Sequence, residues 1–262
     1  MGYHINYACV SNVGKIRSVN QDNFICDGHY MQSQNDETKF PLCGTKTSNE
    51  ISVFGVFDGM GGEECGEVAS FIASQNAAAL VIENDPTDEL LAFCQKANGD
   101  ICSYIEENEL SSMGTTAAML VFTPKMVTLC NIGDSKVFRF SDGELEQISQ
   151  DHLAIAAFGV KPPLSQNLGI PPEEMLIDPY LAQGSYHHGD IYLICSDGLT
   201  DMVSNEEIGE VLKASTPAES ANILVEKALE NGGRDNVTVI VLKLQRQKNK
   251  LLQFLSKFGG KK

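Results

Sequence analysis

What this 262-residue chain lacks narrows its reading before any motif is considered. No stretch approaches 18 uninterrupted apolar residues, and the opening MGYHINYACVSNVGKIR lacks the charged-then-apolar order of a signal peptide. A cytosolic protein without a transmembrane segment is expected. The eight cysteines include no CxxC pair and no histidine at zinc-ligand spacing, so they read as small buried hydrophobes of a reducing compartment. Tryptophan is absent as well, but with 12 Phe and 7 Tyr this excludes nothing. Basic residues are scarce outside the C-terminus. Residues 243–262 hold seven of the 19 Lys/Arg and no Asp/Glu, which leaves 12 basic against 35 acidic residues in 1–242, a formal balance of −23. Such a body repels nucleic acid, whose backbone is gripped by basic surface, and suits a protein that takes up cations.

The chain alternates strand-like and helix-like segments without internal repeats, and its 42% hydrophobic content is ample for one large domain. ISVFGVF at 51–57 reads as a buried strand feeding a tight turn at DGMGG. Two helices are expected next, over GEVASFIASQNAAALVIEN and from Thr87 to Asn108. TTAAMLVFT, MVTLCNI, KVFRFS and ELEQIS then read as adjacent antiparallel strands joined by TPK, GDS and DG. Residues 153–186, rich in proline, read as a long surface excursion of the kind that is often functional, and the polar 29–50 insertion reads as a loop. IYLICSDG returns as a buried strand, followed by helices near 205–213 and 217–230 and a last strand, NVTVIVLKL. An antiparallel β core covered by helix pairs is the simplest assembly.

Four aspartates share a placement. Asp58, Asp134 and Asp197 stand where an apolar strand stops, and Asp235 stands where one begins. An Asp-Gly step alone is an ordinary turn signal. Carboxylates at several rigid strand ends, however, are what hard cations such as Mg²⁺ and Mn²⁺ require: oxygen ligands in octahedral geometry with room for water.

The motifs in order, RSVNQD at 17–22, VFDGMGG at 56–62, GTTA at 114–117, NIGDSKVFRF at 131–140, DH at 151–152, CSDGLTD at 195–201 and RDNVTVIV at 234–241, resemble those of the metal-dependent protein phosphatase (PPM, type 2C) family, in its bacterial form. The resemblance runs from about Asn6 to Leu244. It implies an α+β fold of two packed antiparallel β-sheets flanked by helix pairs, a four-layer αββα sandwich, with two Mg²⁺ or Mn²⁺ ions at one end. It implies hydrolysis of phosphoserine or phosphothreonine on proteins, the substrates of a Ser/Thr kinase. By the same resemblance Asp58 bridges both ions, Gly59 offers its carbonyl, Asp197 and Asp235 hold the second ion, and Asp22 lies beside the centre. Arg17 grips the phosphate, and Asn236 orients phosphate or water. Asp134 and Asp201, with Asp197, match the acidic set of a third, weaker ion. Gly61 and Gly62 would let the backbone pass close to the ions.

Departures from the family pattern matter. Met60 replaces a histidine that many eukaryotic members are thought to use as a proton donor, so the leaving alkoxide would draw its proton from an ion-bound water. Gln21 replaces a frequent glutamate. Ser135 and Ser196 read as turn residues supporting the aspartates, and His152 as a hydrogen-bonding residue at the root of the excursion or, alternatively, an acid. His187 and His188 read as exposed turn residues. Two rival functions stay open: a phosphatase of small phosphate esters, and a silent relative that only binds phosphoproteins.

A monomer with a catalytic domain at 1–244 and a separate tail at 245–262 is expected. The tail carries Leu251, Phe254, Leu255 and Phe258 at i, i+3, i+4, i+7 among basic residues. It could pack on the acidic body, touch a membrane surface or partner, or fray.

Overall fold

The computed structural model describes residues 2–32, 36–60, 65–83, 85–156 and 162–247. The described chain runs through strands β1 (Tyr3–Asn12), β2 (Asp22–Cys26), β3 (Leu42–Thr47) and β4 (Ser52–Met60), then helices α1 (Gly66–Ala78) and α2 (Pro86–Glu107). Strands β5 (Gly114–Thr115), β6 (Ala117–Phe122), β7 (Val127–Ile132), β8 (Lys136–Ser141), β9 (Glu144–Gln147), β10 (Tyr180–Gly184) and β11 (Ile191–Cys195) follow. Helices α3 (Asp197–Thr200), α4 (Asn205–Ala214) and α5 (Pro217–Glu230) precede the last strand, β12 (Val237–Arg246).

The strands form two antiparallel sheets, ordered β3-β1-β12-β11-β8-β9 and β10-β7-β6-β4-β2, with β5 paired to the end of β4. One apolar layer lies between the sheets, among them Ile5, Phe54, Phe122, Tyr192 and Ile240. A second lies between the first sheet and α4 and α5, and a third between the second sheet and α1 and α2. This is the expected four-layer sandwich.

Helix starts follow local chemistry. Asp85 caps α2 by accepting from the Thr87 N–H, with Pro86 in the first turn. Ser204–Glu207 and Thr216–Glu219 form reciprocal capping boxes at α4 and α5. The first helix stops at Ala78 instead of reaching Asn84, because β-branched Val81 and Ile82 follow and Val81 is exposed.

Three connections differ from the sequence reading. The GDS turn at 133–135 does not make a hairpin: β7 belongs to the second sheet and β8 to the first, so the turn carries the chain across the sandwich. The 29–50 insertion contains β3, which pairs along the edge of β1 from Cys9↔Leu42 to His4↔Thr47. Within the excursion, Tyr180–Gly184 adds an edge strand to β7. Edge pairing of polar segments leaves little periodic signal in a sequence, which is why both read as loops. The expected boundary at 244/245 also falls inside a strand, since Gln245 and Arg246 pair with His4 and Tyr3. The remainder of the tail, including Leu251, Phe254, Leu255 and Phe258, lies outside the described residues, as do Gly61 and Gly62.

Five cysteines are buried, Cys9, Cys26, Cys94, Cys130 and Cys195, while Cys43 is exposed and Cys65 and Cys102 are partly so. Burial pushes the Cys195 thiol up to about 12, which makes it inert at cellular pH.

The inter-sheet layer ends in an aromatic cluster in which Phe122 touches Phe54, Tyr186 and Tyr192 at ring separations of 6.2, 5.6 and 5.5 Å. Phe122→Ala should cost about 3–5 kcal/mol of unfolding free energy, since the ring leaves a cavity between two stiff sheets. Denaturant unfolding with unchanged slope would measure it, and a loss below about 1 kcal/mol would show that the sheets close over the gap.

Candidate active site

The sheets bring the strand-end aspartates to one end of the sandwich. Asp22 opens β2 and lies opposite Asp58 in β4. Asp58 is not in a turn. The strand continues through it to Met60, with Gly59 paired to Thr115. Its backbone is fixed on both sides: the N–H donates to Thr116 Oγ1 (3.0 Å), and the carbonyl accepts from the Thr116 N–H and Thr115 Oγ1, each at 2.9 Å. Ser135 Oγ in the crossover turn bonds Thr116 Oγ1 at 2.7 Å, so Asp134 is carried by the same network. A side chain at Gly59 would strike the Gly66 and Gln21 carbonyls, so only glycine fits.

Asp197 is the first residue of α3 and Asp235 stands two residues before β12. Asp58, Asp134, Asp197 and Asp235 line one cleft of about 330 Å³, together with Arg17, Gln21, Gly59 and Met60, and Pro162, Pro163 and Leu164 of the excursion. Among the described lining residues Arg17 is the single cation facing four carboxylates. Arg17 Nη2 donates to Asp235 Oδ2 at 2.8 Å, with both side chains part-exposed.

Asp22 lies behind this wall and is buried. Its Oδ2 accepts from Ser196 Oγ (2.8 Å), just past β11, and Thr238 Oγ1 (2.7 Å) of β12, while its Oδ1 is buried without a hydrogen-bond partner among the described residues. Behind Thr238 the relay continues: Asn20 Nδ2 donates to Ser11 Oγ at 3.0 Å, and Ser11 Oγ lies 2.8 Å from Thr238 Oγ1. Burial pushes the Asp22 carboxyl up to about 7 against the two hydroxyl donors, and nearby Asp197 and Asp235 raise it further. Asp58 is held well above the usual carboxylate range by burial first, then by Asp22, Asp197, Asp134 and Asp235. These are the properties of a site short of positive charge. Among the described residues, however, no three His, Cys, Asp or Glu side chains converge as a ready-made metal site. The carboxylates ring the cleft instead of closing on one point.

Two expected residues are placed differently from their expected roles. Asn236 is buried, and its side chain is spent on the loop that carries Arg17: Oδ1 accepts from the Gln21 N–H, and Nδ2 donates to the Val13 and Val19 carbonyls, at 2.8–2.9 Å. It positions that loop instead of reaching into the cleft. Asp201 is exposed at the end of α3, its N–H donating to the Asp197 carbonyl, and does not line the cleft.

His152 meets the structural reading. Its Nδ1 accepts from the Gly133 N–H (3.2 Å), and burial lowers its pKa, so it stays neutral as an acceptor at the root of the excursion. His187 and His188 are exposed before β11. Asn20, Thr116 and Thr238 lie within the quoted motifs but were given no role there, and Ser11 was not singled out. Their one signal is a hydroxyl or amide inside, or just before, an otherwise apolar strand, as in VTVIV.

The sequence profile described as "Protein phosphatase 2C" matches residues 32–231. A "Serine/threonine protein phosphatase PstP" of Mycobacterium tuberculosis is 37% identical over 217 residues, 75% of this chain but 42% of that protein, so the chain spans less than half of its length. A "Serine/threonine phosphatase stp" of Listeria monocytogenes is 30% identical over 207 residues, covering 71% of this chain and 82% of that one. The crystal structure of the PstP catalytic domain, in complex with two manganese ions, superposes with a TM-score of 0.76 at 31% identity, over 93% of this chain and 100% of that one. With the fold, the cleft and a profile matched over most of its length, this chain belongs to the protein phosphatase 2C family.

Proposed function

We propose that this chain is a metal-dependent protein serine/threonine phosphatase, hydrolysing phosphoserine or phosphothreonine with two Mg²⁺ or Mn²⁺ ions in the cleft. The observation that supports this most directly is four aspartates and one arginine facing a single cleft. Hard oxygen donors and an unpartnered buried Asp22 oxygen fit such ions, whose octahedral shells keep several waters and so do not need every ligand from protein. The manganese pair in the PstP domain and the names of the relatives support the same reading.

Two such ions, when bound, would lower the pKa of a water and offset charge that develops during phosphoryl displacement. The chain's own residues supply the rest. Asp58, with the Gly59 carbonyl, would hold the ions together with Asp197 and Asp235. Asp22 stands behind them, oriented by Ser196 and Thr238. A third ion would draw on Asp134, Asp197 and Asp201, with Asp201 reaching in from outside the cleft. Arg17 supplies a planar fork for two phosphate oxygens once it turns from Asp235, and Asn236 holds the loop that aims it. Met60 offers no proton, so the leaving alkoxide is protonated from water and good leaving groups are favoured. The protein acts in the cytoplasm as a monomer, reversing a Ser/Thr kinase; no helix of the described residues is long and apolar enough to cross a membrane.

Asp58→Asn should reduce hydrolysis of p-nitrophenyl phosphate by about 10²–10³-fold, on the scale of losing one central charge stabiliser. Its melting temperature in chelator should equal or exceed that of the parent. Equal activity in the variant, or parent activity unchanged by chelator, would refute the ion-dependent reading. Comparing rates on a phosphothreonine peptide and on small phosphate esters separates a protein phosphatase from an esterase of metabolites.

Stability without ions should depend on pH with a definite sign. The folded Asp22 carboxyl titrates near 7, above its ordinary value of 3.8, so its contribution is present at acid pH and lost as pH rises through about 7. In chelator the protein should therefore melt lower at pH 8.5 than at pH 6. Asp22→Asn should flatten that slope, as should added Mn²⁺. A melting curve that rises with pH in chelator would contradict the assignment.

A further inference from the structure

Beside the cleft lies a second pocket, of about 350 Å³, that shares Met60 with it. Its floor and walls come from three separate places: Met60 at the end of β4, Ile105 near the end of α2 with Met113 just before β5, and Ile170–Pro171 of the excursion. Ser112 and Glu174 stand on the same lining. It is not a loose gap. Leu168 and Thr115 exchange backbone hydrogen bonds at 2.9 and 3.0 Å, which pins the excursion to β5. Buried Asn98 of α2 then accepts from the Gly169 and Ile170 N–H groups and donates to the Ile170 carbonyl, at 2.7–3.1 Å. All of that side chain's described bonds go to holding two residues of the pocket in place. A side chain at Gly169 (φ +105°) would strike the Met113 carbonyl, and one at Gly114 would crowd Asn167, so the wall is shaped by close backbone approach.

We propose that this pocket is a substrate subsite that takes an aliphatic side chain next to the phosphorylated residue. The proposal rests on the phosphatase reading above. Continuity with the cleft carries it. Met60 lies two residues beyond Asp58 on one strand, about 6.6 Å away, and residues i and i+2 of an extended peptide are separated by the same distance. A peptide that runs alongside this strand, with its phosphate facing Asp58 and Arg17, places the side chain of a residue within two positions of it over the pocket. The pocket surface is more apolar than polar, and it admits a side chain of leucine size without rearrangement. Glu174 on the lining puts a negative charge at the pocket, which disfavours an acidic neighbour.

The test uses the full chain with Mn²⁺ and one phosphothreonine peptide whose positions −2 to +2 are changed singly to Leu, Lys, Asp or Ala. At one position Leu should exceed Asp by about tenfold or more in kcat/KM, equivalent to about 1.4 kcal/mol. Ile170→Glu should bring that ratio to within about twofold while p-nitrophenyl phosphate, which has no flanking residue, is hydrolysed at the parent rate. Should Ile170→Glu fold poorly, Ser112→Trp plugs the pocket from an exposed position and should act alike. No preference at any position, a preference for Lys over Leu, or a Leu preference that survives both variants would overturn the proposal. A parent chain inactive on p-nitrophenyl phosphate would remove the phosphatase reading, and the subsite with it.

Discussion

The cleft depends on one tie between the two sheets. Asp22 begins β2 in one sheet, and the hydroxyls that satisfy its Oδ2 belong to Ser196, just past β11, and Thr238 of β12 in the other. The pairing of Asp22 with Asp58 fixes the near wall. Ser196 and Thr238, in turn, adjoin Asp197 and the Asp235–Asn236 turn, which form the far wall. Neither sheet alone presents the four carboxylates together. The tie has a cost: a buried carboxylate oxygen left without a partner is worth roughly 1–3 kcal/mol of destabilisation. The apolar layer between the sheets offsets it, and a cation at the cleft would relieve it.

That layer has a direction. At one end Tyr3, Phe122, Tyr186 and Tyr192 meet through successive edge-to-face and tilted ring contacts, and at the other the aspartates gather. β12, for example, runs from beside Asp235 to Arg246 opposite Tyr3. The acidic end bends without harm because its turns carry the polar residues, while the aromatic end clamps the sheets at a fixed spacing. Precision at the cleft comes from stiffness some distance away.

Much of this was legible in the sequence, and the limits have physical causes. An antiparallel core with helix pairs was readable from the pattern, the four-layer order came from the family resemblance, and the aspartate set stood out because apolar runs stopped or started at Asp58, Asp134, Asp197 and Asp235. The crossover at Gly133–Ser135 was not: a glycine-aspartate turn between two buried strands looks the same whether the chain folds back or changes sheets. The edge strands β3 and β10 are too short and too mixed in composition for an alternation to stand out in the sequence. Asn236 shows the limit of carrying a role across by motif. Its position was right, but its hydrogen bonds go to the Val13–Gln21 loop, and only coordinates reveal where an amide points. The Thr238–Ser11–Asn20 relay is hidden for the opposite reason, since a threonine in a strand is ordinary by propensity.

The strand that comes last in the described chain, β12, sits in the middle of its sheet, between β1 and β11. Its partner β1 lies at the other extreme of the sequence, with Tyr3 opposite Arg246. A chain growing from a ribosome therefore holds most of its strands for a long time with a vacancy at the centre of the first sheet. Pairings of such long range close slowly. Asp22 waits for Thr238, and Arg17 for Asp235, until nearly all of the described residues have been made. The acidic cleft is thus among the last features to assemble, and a nascent chain lacks its far wall until Asp235 and β12 have been made.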